Sequence, residues 1–369
     1  MAQAKIITPG ATIGILGGGQ LGRMTALAAA QLGYKTHIFC SAADEPALDV
    51  TAHRTLAQFD DVDALRQFAQ SVDVVTLEWE NVPAVALETV AKYAPLHPGA
   101  SVMAIAQDRQ KEKDFARSVG IGTTRYKIVQ SAAELAEALK KIPAPAFLKT
   151  TRMGYDGKGQ IKITPDMDAE QAWAEFGNPL GILEARVDFA CEVSVIVARN
   201  AQGDMAAYPV VENRHKNQIL DETHAPAAID AEISAEAVAT ARHMAAQLGV
   251  IGLLAVELFV LREPNGEGQS VLLNEIAPRP HNSGHWTMDA CAVSQFEQLV
   301  RAVCGLPLGS TEPHSAAVMK NLIGNDALQW QQYLSDRSAC LHLYGKRDVR
   351  DGRKMGHVNS LKGPWPRAD

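Results

Sequence analysis

The chain has 369 residues, of which 47% are hydrophobic and 21% charged, an ordinary globular composition long enough for two or three domains. A net charge of −7 and a pI near 5.9 argue against a nucleic-acid partner, which needs a basic face. No apolar run is long enough for a bilayer span, the N-terminus has no signal-peptide pattern, and the five cysteines (Cys40, Cys191, Cys291, Cys304, Cys340) are scattered without a CxxC pair. The expectation is a cytoplasmic protein with reduced thiols and no membrane partner.

Residues 11–39 read strand, glycine loop, helix, strand. Ile13–Leu16 is the strand, Gly17-Gly18-Gly19-Gln20-Leu21-Gly22 the loop, Met24–Leu32 the helix closed by Gly33, and Lys35–Phe39 the second strand. Such glycines let a phosphate approach backbone N–H groups at a helix N-terminus. A dinucleotide site also wants an acidic residue ending the second strand, and Phe39-Cys40-Ser41 has none. Gln20 and Arg23 therefore read as contacts for a substrate phosphate or base, with a structural turn as the alternative. Asp60 or Asp61 caps a helix to about Gln70. Val72–Leu77 is a strand with Glu78-Trp79-Glu80-Asn81 at its carboxyl end, where ligands of open α/β sheets bind; one of the two Glu is expected to be functional and the other solvated. Pro83 starts a helix to about Tyr93, and a short strand near Leu96–Pro98 ends the first domain.

From Ser101 the pattern changes. Asp108–Arg117 is a charged helix, and Ser131-Ala132-Ala133-Glu134 is a capping box opening a helix to Lys141. Ala146–Lys149 is a strand ending in lysine beside the glycine loop Thr150–Gln160, and together they suit a phosphate cover. Ile182–Val187 runs into a connector and Cys191–Ala198 is a β run; a connector between lobes is a common adenine or ribose site, with Glu184 and the backbone near Arg186 and Val187 reading the base and Glu192 the ribose. Ser234–Leu248 is an amphipathic helix ending at Gly249.

Leu253–Leu261 and Val271–Ile276 flank Pro264–Gly268 as an antiparallel hairpin. Each strand carries a carboxylate, Glu257 and Glu275, that is costly in an apolar strand unless it is paired or bound to a metal. With Asn274 they make an all-oxygen set suited to Mg²⁺; pairing with Arg or Lys is the alternative. Arg279, His281, Asn282, Ser283 and His285 then crowd into one loop. The tail holds β runs Ala317–Leu322 and Leu341–Tyr344 and a basic cluster, Lys346, Arg347, Arg350, Arg353 and Lys354, which suggests an anion site in an acidic protein.

The order of glycine loop, strand-end Lys149, GYDGKGQ, connector Glu184, Glu257 and Asn274-Glu275 resembles the ATP-grasp enzymes. PRPHNSGHW with GGGQLGRM narrows the resemblance to the N5-carboxyaminoimidazole ribonucleotide synthetase family of purine biosynthesis, from Gly14 to about Asn359. The resemblance implies an α/β protein: an N-terminal Rossmann-like (pre-ATP-grasp) domain over 1–100, a two-lobed ATP-grasp core over 101–300 with its small lobe at about 123–190, and a small C-terminal β-rich domain over 301–369. It places ATP between the lobes, with Arg109, Lys149 and the loop Gly154, Tyr155, Asp156, Gly157, Lys158, Gly159 and Gln160 at the phosphates. Glu184, Ala185, Arg186, Val187, Glu192 and His215 would hold adenosine. Glu257, Asn274 and Glu275 would bind Mg²⁺, the last two also touching ATP. Gly19, Gln20, Glu78, Asn282 and Ser283 would hold 5-aminoimidazole ribonucleotide, with Lys346 and Arg353 at its phosphate. Tyr155, Asp156, Lys158, Arg279 and His281 would surround bicarbonate. Two positions depart from the pattern: Ala185 replaces a more usual polar residue, and Gln218 stands where glycine is common.

The implied reaction is ATP-dependent carboxylation of the exocyclic amine of that ribonucleotide by way of carboxyphosphate. A homodimer and a mutase that takes the product are the implied partners. Two alternatives stand beside it. A formate-dependent glycinamide ribonucleotide transformylase shares the sheet, lysine and Glu pair but matches PRPHNSGHW less well. A sensor that binds ATP without turnover has no need of Glu257, Asn274 and Glu275, all intact here. ADP release on adding each ribonucleotide in turn separates the three.

Overall fold

The computed structural model describes residues 6–154, 158–265 and 268–366, which are organised by three β-sheets. The first is parallel, in the order β3-β2-β1-β4, from β1 (Thr12–Leu16), β2 (Lys35–Cys40), β3 (His53–Leu56) and β4 (Val74–Leu77). β1 and β4 are apolar on both faces and almost wholly buried, as strands between two helical layers must be. The helix after the glycine loop spans Gln20–Gln31, and Asp61 caps the next by accepting from Ala64 N at 3.0 Å. The strand expected near Leu96–Pro98 reduces to a single bridge between Val75 and Leu96.

The second sheet is antiparallel, β5-β8-β6-β7, from β5 (Tyr126–Val129), β6 (Ala146–Thr150), β7 (Gln160–Ile163) and β8 (Gly181–Ala185). The two-residue period of a strand sorts its side chains. Ala146, Leu148 and Leu183 turn into a core shared with the helices Ala132–Leu139 and Ala169–Phe176, which leaves Phe147, Lys149 and Glu184 on the opposite face. Ser131 caps its helix as expected, but Glu134 reaches back to Gln130 N at 2.8 Å rather than to Ser131 N, so the capping box is open by one residue.

The third sheet has nine strands: β9 (Phe189–Arg199), β10 (Met205–Ala207), β11 (Val211–Lys216), β12 (Ile219–Ala225), β13 (Gly252–Leu261), β14 (Val271–Ala277), β15 (Ser315–Ile323), β16 (Ala339–Leu343) and β17 (Lys354–Pro364). Their order is β14-β13-β9-β11-β12-β15-β17-β16, with β10 beside β9. The β runs of the tail thus continue the sheet that carries the Glu257–Glu275 hairpin, joined to it through β12 and β15. The helix Ala231–Leu248 packs on one face of this sheet, and the helix Gln295–Val303 packs with Trp286 and Leu253 in a separate core. The edge strand β14 is covered by the helix Arg109–Ser118, capped by Asp108.

Candidate functional site

A cleft of about 970 Å³ runs between the second and third sheets and on to the carboxyl end of the first. Its walls include Gly19, Gln20, Glu78, Arg109, Lys149, Gly154, Lys158, Gln160, Glu184, Ala185, Arg186, Val187, Glu192, His215, Glu257, Asn274, Glu275, Arg279, His281 and Asn282. One space therefore brings together most of the residues that the sequence singled out, although they lie up to hundreds of positions apart. Tyr155, Asp156 and Gly157 lie outside the described residues, as do Gly266 and Glu267 of the hairpin loop.

In the middle of the cleft, β13 and β14 set Glu257 directly opposite Glu275. The ladder slips there: Glu257 faces Glu275 and Leu258 faces Leu273, so Asn274 is an extra residue in the strand. Such a bulge re-aims side chains. Each carboxylate has a close basic neighbour, Arg109 at 3.2 Å from Glu275 and His281 Nε2 at 2.8 Å from Glu257. Burial works to raise the Glu257 carboxyl, but His281 and His215 override it and hold it below the usual range.

Lys149 sits at the end of β6 with its Nζ 2.7 Å from Glu184. The second oxygen of Glu184 is 3.3 Å from Lys113 Nζ, an ion pair without hydrogen-bond alignment. Burial opposes ionisation of Glu184, yet the Lys113 and Lys149 charges keep its pKa down at about 2. The Glu184 carboxylate is thus shared by two lysines, while the residue still lines the cleft. Sequence reasoning read Lys113 only as one of the charges on the helix Asp108–Arg117, and it missed the apolar end of the cleft. There Phe189 and Phe259 stack with ring centroids 4.9 Å apart beside the connector Arg186–Asp188, next to the ion-paired Glu192 and His215. Aromatic faces with a nearby hydroxyl acceptor suit a nucleoside. Gly159, beside the end of β6, has φ +73°, and a Cβ there would stand 2.7 Å from Thr150 Oγ1. Gln218 adopts φ +65°, the region that makes glycine common there, and accepts from Gln160 Nε2 at 2.6 Å.

At the glycine-loop end the acid is already in place. Glu78 accepts from Gly19 N at 2.9 Å and Gly22 N at 3.3 Å, and a Cβ on Gly17 would stand 2.5 Å from its Cγ. The N–H groups expected to meet a phosphate are thus taken by a protein carboxylate, which corrects that expectation. Burial pushes the Glu78 pKa up. Glu80 is ion-paired with Arg279; burial raises its pKa, the Arg279 charge outweighs this, and the net shift is downward. Neither glutamate is the solvated one the sequence suggested. Arg23 turns away to Pro46 O at 3.0 Å.

In the PRPHNSGHW loop, His281 Nδ1 is 2.8 Å from Ser283 Oγ, which is 2.7 Å from Ser194 Oγ. Ser283 is fully buried behind His281, so its expected substrate contact becomes a support for the imidazole. Asn282 lines the cleft with both amide atoms buried and without a protein partner. Buried polar groups are seldom left unpaired, so an orphaned amide in a cleft marks a ligand position. Lys346 and Arg353 do not line the cleft; both act electrostatically on Glu45, and Lys346 also on Glu78, behind the glycine loop. Lys354 lines the cleft instead.

A four-stranded antiparallel lobe facing a large sheet across a cleft, with a strand-end lysine opposite a paired-glutamate hairpin, defines the ATP-grasp class. An ATP-grasp domain profile matches residues 114–296, a ribonucleotide synthetase preATP-grasp domain residues 10–107, and a phosphoribosylaminoimidazole carboxylase C-terminal domain residues 317–364. The N5-carboxyaminoimidazole ribonucleotide synthase of Brucella melitensis is 44% identical over 96% of this chain and 98% of its own length. A bifunctional purine synthesis protein of Dictyostelium discoideum is 45% identical over 96% of this chain, which spans 37% of that longer protein. Among solved structures, the ADP complex of an N5-carboxyaminoimidazole ribonucleotide synthetase superposes with a TM-score of 0.93 at 42% identity, covering 98% of this chain and 95% of the other. The Aspergillus clavatus synthase in complex with ADP and 5-aminoimidazole ribonucleotide gives 0.87 at 31% identity, covering 96% and 94%. The chain belongs to the N5-carboxyaminoimidazole ribonucleotide synthase family.

Proposed function

We propose that this protein is an ATP-dependent ligase that carboxylates the exocyclic amine of 5-aminoimidazole ribonucleotide with bicarbonate. The products are N5-carboxyaminoimidazole ribonucleotide, ADP and phosphate. The observation that carries the proposal is the single cleft in which a cationic station, the Glu257–Glu275 pair and the orphaned Asn282 amide lie in sequence. In this reading adenosine rests against Phe189 and Phe259 with its ribose near Glu192 and His215, and its phosphates extend toward Arg109, Lys149, Gly154, Lys158 and Gln160. Glu78, Gln20 and Asn282 face the ribonucleotide, with Lys346 and Arg353 toward its phosphate.

A bicarbonate oxygen attacks the γ-phosphorus, the bond to the bridging β–γ oxygen breaks, and ADP leaves. The carboxyphosphate then splits to CO₂ and phosphate, and the exocyclic amine attacks the CO₂ and loses a proton to the released phosphate. Phosphoryl transfer of this kind needs positioned charge rather than a protein nucleophile. Arg109 and Lys149 supply that charge, while Arg279, fixed by Glu80, and His281, fixed between Glu257 and Ser283, hold the bicarbonate anion. Carboxyphosphate is short-lived, so the cleft must also keep water away.

Glu257, Glu275 and Asn274 fit a hard cation: three oxygen donors are adjacent on one hairpin, two of them carboxylates now in contact with His281 and Arg109. Mg²⁺ takes few protein ligands and completes its shell with substrate phosphates and water, so a set this small is enough for it. When bound, Mg²⁺ would neutralise charge on the phosphate oxygens. Domain limits near residues 100 and 300, a cytoplasmic homodimer and a mutase that takes the product complete the proposal. The test is ADP release with ATP, Mg²⁺, bicarbonate and the ribonucleotide omitted in turn. Rapid release is expected only with all four. Turnover driven by formate and glycinamide ribonucleotide, but not by the aminoimidazole, would assign the transformylase activity instead.

A further inference from the structure

Lys113 has no part in the mechanism above, yet it carries a charge wholly enclosed by protein. Its side chain is 0% exposed, and it is not part of the cleft wall. Burying an ammonium is costly unless it is paired, so its partners show what it is kept for. There are two. Its Nζ donates to the carbonyl of Asn274 at 3.3 Å, the bulged residue that the β13–β14 ladder leaves out. The same Nζ lies 3.3 Å from Glu184 Oε1, whose other oxygen accepts from Lys149 at 2.7 Å. Asn274 is on the third sheet and Glu184 and Lys149 are on the second, so the ammonium spans the floor of the cleft.

We propose that Lys113 is a positioning residue that keeps Lys149 electrostatically available to the nucleotide phosphates, by sharing the carboxylate that would otherwise neutralise it. This rests on the ATP-binding reading given above. The argument is a count of charges. Lys113, Glu184 and Lys149 together carry one net positive charge. Without Lys113, Glu184 and Lys149 form a closed pair with none, and the cleft keeps its shape and Arg109 but loses one unit of positive charge at the Lys149 position. Without both Lys113 and Glu184, Lys149 stands alone and the net charge of one returns. A purely structural role for Lys113 predicts a different series, because the double variant then removes two supports instead of one.

The experiment is calorimetric titration of adenosine, AMP, ADP and ATP into wild type, Lys113→Met and the double variant Lys113→Met/Glu184→Gln, at low ionic strength. Lys113→Met should leave adenosine affinity within about twofold and weaken ATP by about tenfold or more, the scale of one unit charge lost a few ångströms from a polyanion in a partly buried site. The double variant should regain most of the ATP affinity. Equal losses for adenosine and ATP, no loss for ATP, or a double variant as weak as the single one would overturn the proposal. Should Lys113→Met fail to fold, wild type and the double variant decide: a retained preference for ATP over adenosine supports the charge count, and a lost preference contradicts it. A wild type without any such preference would refute the ATP reading itself.

Discussion

At the scale of single residues, the chemistry of the cleft depends on charges held at fixed places. Glu275→Gln keeps the shape of the side chain and removes one charge from the hairpin pair. Losing preorganised charge stabilisation of this kind costs roughly two to three orders of magnitude in turnover. Mg²⁺-dependent ADP formation by that variant is the measurement, and normal rates would remove Glu275 from the metal site. Lys346 gives a pH signature. Burial, reinforced by Arg353, lowers its pKa from 10.5 to about 8, while Glu78 and Glu45 pull the other way. The group is charged below about 8 and neutral above it. kcat/KM for the ribonucleotide, which reports groups of the free enzyme, should therefore fall as pH rises through about 8. Lys346→Arg should abolish that limb while leaving the ATP dependence in place. The sign for stability is opposite: the penalty for burying the ammonium is present below about 8 and is relieved between there and 10.5. The sequence shows which residues have the right chemistry, because each motif pairs a residue type with a strand end or a glycine loop. It does not show what their partners are. Glu78 inside the glycine loop, and Glu184 between two lysines, follow from packing between segments far apart in the chain.

At the scale of elements, the helix Arg109–Ser118 shows how a charged segment can be structural. The sequence presents it as a polar helix, yet Glu112 and Lys113 are both buried. Arg109, Glu112, Lys113 and Ala116 recur at the spacing of one helix face, so the stripe was visible in the sequence, but its charges concealed that it was the inner face. That face serves the outer edge of β14. Glu112 accepts from Ile276 N, and Lys113 donates to Asn274 O, two groups that an edge strand leaves unpaired. Glu112→Leu removes the acceptor and should destabilise the protein by about 1–3 kcal/mol, the cost of a buried unsatisfied donor. Glu112→Gln keeps a carbonyl there and should lose less. Urea unfolding of both variants measures the difference, and equal losses would show that the Ile276 bond is not what matters. The strands hardest to foresee were β12 and β17, where polar residues such as Thr223, His357 and Asn359 turn into the protein and break the alternation that marks a strand.

At the scale of the whole molecule, three segments that read as separate in the sequence share one core. Ile13 and Ile38 of the first sheet, Leu253 and Trp286 of the middle segment and Met319 of the tail belong to one buried cluster, and Trp365 stacks on Trp286 at 5.8 Å. The second sheet is the exception, with its own core around Leu135, Leu148 and Leu183. Native-state hydrogen exchange should therefore show β5–β8 opening at lower free energy than β9 and β13, and ATP should narrow the gap by binding between them. Uniform protection in the absence of nucleotide would contradict this division. The order of motifs along the chain made the architecture legible, whereas the continuous nine-stranded sheet depends on the pairing of β12 with β15, which no local pattern announces. The central claim is that ATP is spent on activating bicarbonate, and isotope transfer tests it most directly. With bicarbonate labelled with ¹⁸O in all three oxygens, ATP, Mg²⁺ and 5-aminoimidazole ribonucleotide, the account predicts that one labelled oxygen appears in each phosphate released, because the bicarbonate oxygen that attacks phosphorus stays with it. Phosphate released without label, during full turnover, would contradict it.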